Sequence, residues 1–330
     1  MPFRDTVIVA RPRIVITGGA GFIGSHLAEA LAEEAKLVLV DHLRPGTREN
    51  AARSVELGAT LVKRDVVRGD LAPLFRRVDV VYHLAANPDV RLGKPGTRAH
   101  IEQNVVATFR VLEACRTCHV PKIVFASTST VYGEASRVPT PEDYAPLEPI
   151  SVYGASKLAC EALLSSYAHT FGIQAVAFRM ANVVGGRSHH GVVHDLVQKL
   201  HRNPRGLEII GAEPGTSKSY IHIVDALAGM RAGVRAASAP FTVYNLGSED
   251  AISVRTIADA ICDELGLRDV AYSWTGGSGE GRGWAGDVRA MQLDLDRLRA
   301  TGWRPAMTSE QAVRKAARDL WARLPRRPGR

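Results

Sequence analysis

The stretch "TGGAGFIGSHL", Thr17 to Leu27, joins a short apolar run, "RIVITG" (Arg13–Gly18), to a segment with helical periodicity, "FIGSHLAEALAEEA" (Phe22–Ala35). Gly18, Gly21 and Gly24 recur at every third position across the junction. Each glycine answers a separate steric demand. One lets the chain turn tightly, one lets backbone approach a pyrophosphate, and one lets the helix pack against the strand. The helix N-terminus then faces the phosphates. The spacing therefore predicts a dinucleotide-binding strand–turn–helix unit at the start of the chain.

Working outward, "KLVLVD" (Lys36–Asp41), "ATLVKRD" (Ala59–Asp65), "VDVVYHLA" (Val78–Ala85), "KIVFAS" (Lys122–Ser127) and "GIQAVAFRM" (Gly172–Met180) read as five more strands. Short β-rich runs separated by amphipathic helices predict a parallel sheet covered on both faces. After Met180 the alternation loosens into loops such as "NVVGGRSHHG" and "TGGSGEGRGWAGD", with shorter helices between them. The fold class expected is α/β: a doubly wound parallel (Rossmann) sheet with a smaller mixed α/β C-terminal substrate domain. The boundaries expected are 1–180 for the NAD-binding domain, 181–320 for a substrate domain interleaved with it, and 321–330 for a basic tail. The cleft between the two domains would lie over the carboxyl ends of the strands.

Composition narrows the function. The 330 residues are 45% hydrophobic, enough for a sizeable core. No apolar run reaches the roughly 18 residues of a membrane span. The start, "MPFRDTVIVARPR", has a shorter apolar patch than the roughly 7–15 residues of a signal-peptide core. A cytoplasmic protein with reduced thiols is expected. The formal charge of +8 gathers in Arg-rich ends such as "ARLPRRPGR" (Ala322–Arg330). Without a recognition motif this reads as a solvated tail, and no nucleic-acid partner is expected. "CRTCH" (Cys115–His119) matches the haem-attachment pattern C-x-x-C-H. It ends "NVVATFRVLEACRTCHV", however, in which Asn104, Val105, Phe109, Leu112 and Cys115 keep helical spacing. The pattern therefore reads as two thiols on the last turn of a surface helix. His190 and His194 stand four apart beside His189, with no third ligand in view, so no metal is expected.

Twenty residues past Gly21, Asp41 ends the second strand. A carboxylate there accepts both adenosine-ribose hydroxyls and repels a 2′-phosphate, which favours NAD over NADP. Asp65, ending the third strand, is a candidate adenine contact. Further on, "SVYGASK" places Tyr153 and Lys157 four apart in a helical stretch, so the two side chains share one face. An ammonium beside a phenol favours the phenolate, and the expectation is a Tyr153 poised as proton acceptor for an alcohol. Between these motifs lies "FASTSTVYG" (Phe125–Gly133), four hydroxyl side chains in a row at a strand end. At the carboxyl edge of the sheet, Ser127, Thr128 and Ser129 are expected to point into the cleft, where one hydroxyl can share the alcohol's proton.

The chain resembles the extended short-chain dehydrogenase/reductase family, in its NAD-dependent epimerase/dehydratase branch. The resemblance runs from Arg13 to about Leu320 and rests on "TGGAGFIGSHL", "HLAANPDVR", "NVVAT", "FASTSTVYG", "YGASK", "FRMANVVG", "KSYIHIVD", "YNLGS" and "GRGWAGDV", in the family's order. It implies that Thr128 holds the catalytic Ser/Thr position, with Tyr153 as base and Lys157 as its tuner. It implies cofactor contacts at Gly18, Gly21, Phe22, Ile23, Gly24, Asp41, His42, Leu43, Asp65, Val66, Leu84, Ala85, Ala86, Asn104 and Ser127, besides Tyr153 and Lys157. It implies substrate contacts at Asn87, Thr128, Ser129, Asn182, Val193, Lys218, Tyr220, Arg282 and Asp287. Lys218 stands where many relatives carry an arginine, which forfeits bidentate phosphate binding. "GRGWAGD" is also longer than the usual R-x-G-D.

Where the dehydratases of this branch carry an Asp–Glu pair, this chain has Ser129 and Thr130. Eliminating water needs a proton donor and a base at that place. The resemblance therefore implies a 4-epimerase, most similar to those of UDP-glucose and UDP-galactose, acting on a UDP-hexose and built as a homodimer. A 4-epimerase of UDP-glucuronate, with Arg187 or Arg91 on the substrate carboxylate, or of another nucleotide sugar is the alternative. A non-catalytic NAD(H)-sensing protein of the same fold is the alternative of another class.

Overall fold

The computed structural model describes residues 11–44, 47–90, 96–278 and 281–325. Six strands follow one another, and all but the third, whose residues are exposed or partly buried, are apolar runs of the kind that suits a sheet buried on both faces. They are β1 (Arg13–Thr17), β2 (Lys36–Asp41), β3 (Thr60–Lys63), β4 (Val80–His83), β5 (Lys122–Thr128) and β6 (Gln174–Met180). Beyond them come short strands of the second region: β7 (Asn182–Val184), β8 (Gly206–Ile209), β9 (Ser217–Lys218) and β10 (Tyr220–His222). Then β11 (Phe241–Leu246) returns to the first region and pairs with β6. The main sheet thus has seven parallel strands in the order β11-β6-β5-β4-β1-β2-β3. The sequence reading counted six. The first three residues of β11 are only partly buried, so the run lacks the apolar continuity that marks the inner strands.

The strand order reverses between β1 and β4, and a crevice opens there at the carboxyl ends. Helix α1 (Phe22–Leu31) follows β1, and the glycine turn decides how it packs. A Cβ on Gly24 would lie 2.1 Å from the Gly18 carbonyl oxygen, so only glycine permits this approach. The helical segment after β4 is not uniform. It starts at Thr97, widens into a π-helical stretch at Ile101–Val106, and continues as α2 (Ala107–Thr117). Cys115 is wholly buried in the core and Cys118 follows the last turn, so the pair is not a surface feature. Burial pushes the Cys115 thiol far up, and it stays inert as a nucleophile.

Helix α3 (Val152–Phe171) packs beside α2 on one face of the sheet. The second region contributes α4 (Val192–Arg202) and, after α5 (Ile223–Ala236) on the main sheet, α6 (Val254–Glu264) and α7 (Ser309–Ala322). Leu196, Leu200, Ile257, Ile261, Val313 and Leu320 join α4, α6 and α7 in one apolar cluster. Around it lie small sheets built from β7 to β10 with β12 (Ile252–Ser253), β13 (Ala271–Trp274) and β14 (Ala290–Met291). The start of the expected basic tail belongs to α7 as far as Ala322; its residues 326–330 lie outside the described ones. No helix among the described residues is long and apolar enough to cross a membrane.

Candidate active site

A cleft of about 1350 Å³ runs over the carboxyl ends of the strands between the two regions. One wall is the strand–turn–helix unit: Gly18, Gly21, Phe22, Ile23 and Gly24 line it. Gly21 is the N-cap of α1 and no side chain caps that end. A Cβ at Gly21 would meet only the Gly18 carbonyl oxygen. An uncapped helix start that opens on a cavity suits a phosphate. Asp41 is buried beside it; its Oδ2 accepts from the Ala20 N–H at 3.1 Å and its Oδ1 from the Leu43 N–H at 2.8 Å. Two such bonds hold the carboxylate still and leave lone pairs for the two ribose hydroxyls. His42, Asp65 and Val66 share this wall. Leu43 does not line the cleft and serves Asp41 through its backbone instead. The residues present therefore fit an adenine dinucleotide.

The reacting end is built by two motifs packed on each other. Strand β5 ends at Thr128, whose Oγ1 accepts from the Thr130 N–H at 3.2 Å and caps a single helical turn, Ser129–Tyr132. Ser151 caps α3 by accepting from the Gly154 N–H at 3.0 Å. A Cβ on Gly154 would stand 2.7 Å from the Thr130 carbonyl oxygen, so the start of α3 lies directly against the hydroxyl-rich turn. Tyr153 consequently meets Thr128, with which it shares a hydrogen bond. Burial pushes the Tyr153 phenol up to about 12, opposed by that bond and reinforced by the nearby Cys160.

Lys157 departs from its expected role. Its Nζ donates to the Ala126 carbonyl at 2.8 Å and lies 4.5 Å from the centre of the Phe125 ring. Burial lowers it to about 8, with Cys160 and Glu161 pulling the other way. The ammonium is thus turned toward β5. In the protein by itself burial raises the phenol, where the four-residue spacing suggested a lowered one. Burial outweighs a cation pointed elsewhere.

Three other expectations change. The Ser127 hydroxyl does not face the cleft. It donates to buried Glu161, which is clamped by Arg179 at 2.8 Å, so Ser127 presents backbone to the cavity. Side chains alternate along a strand, and Ser127 and Thr128 cannot both point the same way. Asn104 and Asn87 do not line the cleft. Asn104 Oδ1 accepts from the Asn87 N–H at 2.7 Å, and its Nδ2 donates to Ser156 Oγ at 2.9 Å. It therefore ties the loop after β4 to α3. Leu84, Ala85, Ala86, Ser129, Asn182, Val193 and Tyr220 do line the cleft.

At the far end Lys218 and Asp287 line the cleft but are paired with each other at 2.5 Å. Arg282 does not line it, and pairs with Glu134 at 3.0 Å. Arg187 is spent as well: it donates to Glu29 at 2.6 Å and to Ser25 at 3.1 Å. Arg91 lies outside the described residues. His189 meets Asn50 and His194 meets Asp195; no group of three or more His, Cys, Asp or Glu side chains suited to a metal occurs among the described residues.

Sequence reasoning missed His100, which is buried with its ring edge-on to Tyr153 at 5.9 Å. It also missed Trp284 on the cleft wall. His100 sits one turn before Asn104 on a helix already recognised, so extending that helix toward the N-terminus would have found it.

The model of the NAD dependent epimerase/dehydratase family matches residues 14–247. The chain belongs to that family. It is 29% identical to a putative UDP-glucose 4-epimerase of Methanocaldococcus jannaschii, over 92% of this chain and 96% of that one. A solved UDP-galactose 4-epimerase is 44% identical, with a TM-score of 0.83 over 94% of this chain and 99% of the other. The UDP-glucuronic acid 4-epimerase of Bacillus cereus, solved with UDP-glucuronic acid and NAD, is 27% identical, with a TM-score of 0.84 over 93% and 98%. The family member described here is an isomerase, a nucleotide-sugar 4-epimerase that works with NAD. None of these relatives supports a non-catalytic sensor.

Proposed function

We propose that the protein interconverts UDP-glucose and UDP-galactose. NAD bound against Gly21, the start of α1 and Asp41 supplies a reversible hydride acceptor at sugar carbon 4. The Tyr153 phenolate takes the 4-hydroxyl proton as carbon 4 is oxidised and returns it as the ketone is reduced, and Thr128 beside it orients that proton. Lys157 holds the end of β5 through Ala126 and keeps the floor of the site in place. Glu161, the acid nearest these groups in sequence, is locked on Arg179 and Ser127, so it does not divert a ketone toward elimination. Lys218, Tyr220, Asn182 and Asp287 form the nucleotide end.

One observation favours a neutral hexose over a uronate. Arg187, the described cation expected to meet a substrate carboxylate, is committed to Glu29 and Ser25. The test is incubation of the purified protein with UDP-glucose, UDP-galactose and UDP-glucuronate separately, without added cofactor, with products separated by chromatography. Interconversion of the first two supports the reading; turnover of the uronate alone overturns it.

The same reading includes a cytoplasmic homodimer. Ile101, Val106 and Phe109 on the segment leading through α2, and Val152 and Phe171 at the ends of α3, are large exposed apolar side chains on two packed helices. Two such pairs facing each other would bury them. Light scattering should give a dimer for the wild type and a monomer for Phe109→Glu.

A further inference from the structure

The hydroxyls of the row Ser127 to Thr130 divide by partner. Ser127 is turned to Glu161, whereas Thr128 and Thr130 meet each other, Oγ1 to Oγ1, at 3.1 Å. Thr128 is buried and Thr130 half-buried beside it. Among the described residues, no other side chain meets the Thr130 hydroxyl. The Thr130 backbone is held on two sides. Its carbonyl accepts from the Gly133 N–H at 3.3 Å, and a Cβ on Gly154 would stand 2.7 Å from the same oxygen. The contact between the two threonines is therefore fixed by the same packing that brings the start of α3 to the end of β5.

A hydroxyl has one proton to give and two lone pairs to fill. One lone pair of Thr128 Oγ1 is taken by the Thr130 N–H at 3.2 Å. That leaves one lone pair and one proton for two neighbours, the Thr130 hydroxyl and the Tyr153 phenol. One of them donates to Thr128 and the other accepts from it. A phenolate can only accept. With Tyr153 ionised, the Thr130 hydroxyl is the donor, both lone pairs of Thr128 are filled, and its proton faces the phenolate. A hydrogen bond to a charged acceptor is roughly twice as strong as a neutral one, and each bond in such a chain strengthens the next. The chain of three hydroxyls thus favours the phenolate over the phenol.

We propose that Thr130 is a positioning residue for the reaction: its Oγ1–H donates to Thr128 Oγ1 and so commits the single Thr128 proton to the Tyr153 phenolate. Neither threonine gives up its proton; only the 4-hydroxyl proton moves, to Tyr153 and back. The inference rests on the reading of Tyr153 as base with Thr128 beside it.

Thr130→Val keeps the shape and the N–H bond and removes only the hydroxyl. With UDP-galactose as substrate, the acid limb of kcat/KM reports the ionisation of the base. In Thr130→Val it should move up by about one pH unit, the size of one ordinary hydrogen bond. KM, bound NAD and the unfolding midpoint should stay where they are, and Thr130→Ser should restore the limb. In a Thr128→Val background, removing the Thr130 hydroxyl should change nothing further. An unmoved limb, or an equal loss of rate with and without the Thr128 hydroxyl, overturns the proposal. Full activity in Thr128→Val or Tyr153→Phe overturns instead the reading beneath it, and the proposal with it. A second measurement needs no turnover. The ultraviolet absorbance of the Tyr153 phenolate in the NAD-loaded protein, taken as the difference from Tyr153→Phe, should titrate about one pH unit higher in Thr130→Val than in the wild type. Coincident titrations overturn the proposal whichever sugar the enzyme takes.

Discussion

At the reacting end of the cleft, Thr128, Tyr153 and Lys157 come from two adjoining elements, β5 and α3, locked by the Gly154 contact. At the nucleotide end, Glu134, Lys218, Arg282, Trp284 and Asp287 come from three distant segments. The first group is tied to neighbouring backbone rather than to opposite charges: Lys157 to Ala126, Thr128 to Thr130. The second pairs cation with acid inside the chain. Proton transfer needs geometry that does not shift, whereas a diphosphate arrives with charges that can compete for ion pairs already formed.

The contrast can be broken most sharply at Tyr153. Tyr153→Phe should lower kcat by about a thousandfold, within the range expected for loss of a general base, with NAD retention unchanged by absorbance. Next is the support beneath this end. Glu161→Ala strands Arg179 in the core and should cost about 3–5 kcal/mol in urea unfolding.

His83 tests the same floor by pH. It is wholly buried between Thr17 and Thr108, and burial takes it down to about 3. Between the unfolded value near 6.5 and about 3, the unfolded chain binds the proton and the folded one does not. Its contribution is therefore complete above about pH 6.5 and is lost as pH falls. The acid-side slope of the unfolding midpoint should flatten in His83→Gln.

Asn104→Ala leaves the Asn87 N–H without its acceptor and should cost about 1–3 kcal/mol in unfolding, with a fall in kcat. The smallest effect belongs to the nucleotide end. Glu134→Gln releases Arg282 from a partly exposed pair and should lower KM about twofold with kcat unmoved, on the scale of such pairs. A larger fall in kcat there would erase the contrast between the two ends.

The readability of the chain follows the same division. The first six strands, the glycine turn, Asp41 and the Tyr153/Lys157 pair are encoded within windows of a few residues, where periodicity and steric demand act locally. Strand β11 was hidden because its first half is only partly buried and its sequence, "FTVYNL", lacks a continuous apolar run. Ser127 was misread because the row of hydroxyls shows composition, whereas the strand's alternation and Glu161 decide direction. Asn104 and Arg187 look like ligand contacts until their partners Asn87, Ser156, Glu29 and Ser25 arrive from elsewhere in the chain.

Local sequence alone determined the sheet's parallel class, the place of the dinucleotide turn, and which tyrosine faces which hydroxyl-rich strand end. Only the tertiary structure decided the burial of Tyr153, the direction of Lys157, and the pairing of Lys218 and Arg282. The physical reason is range. Backbone turns and side-chain periodicity are settled by neighbours in sequence. Burial and charge pairing depend on which distant groups share a few ångströms of space, and no short window contains that information.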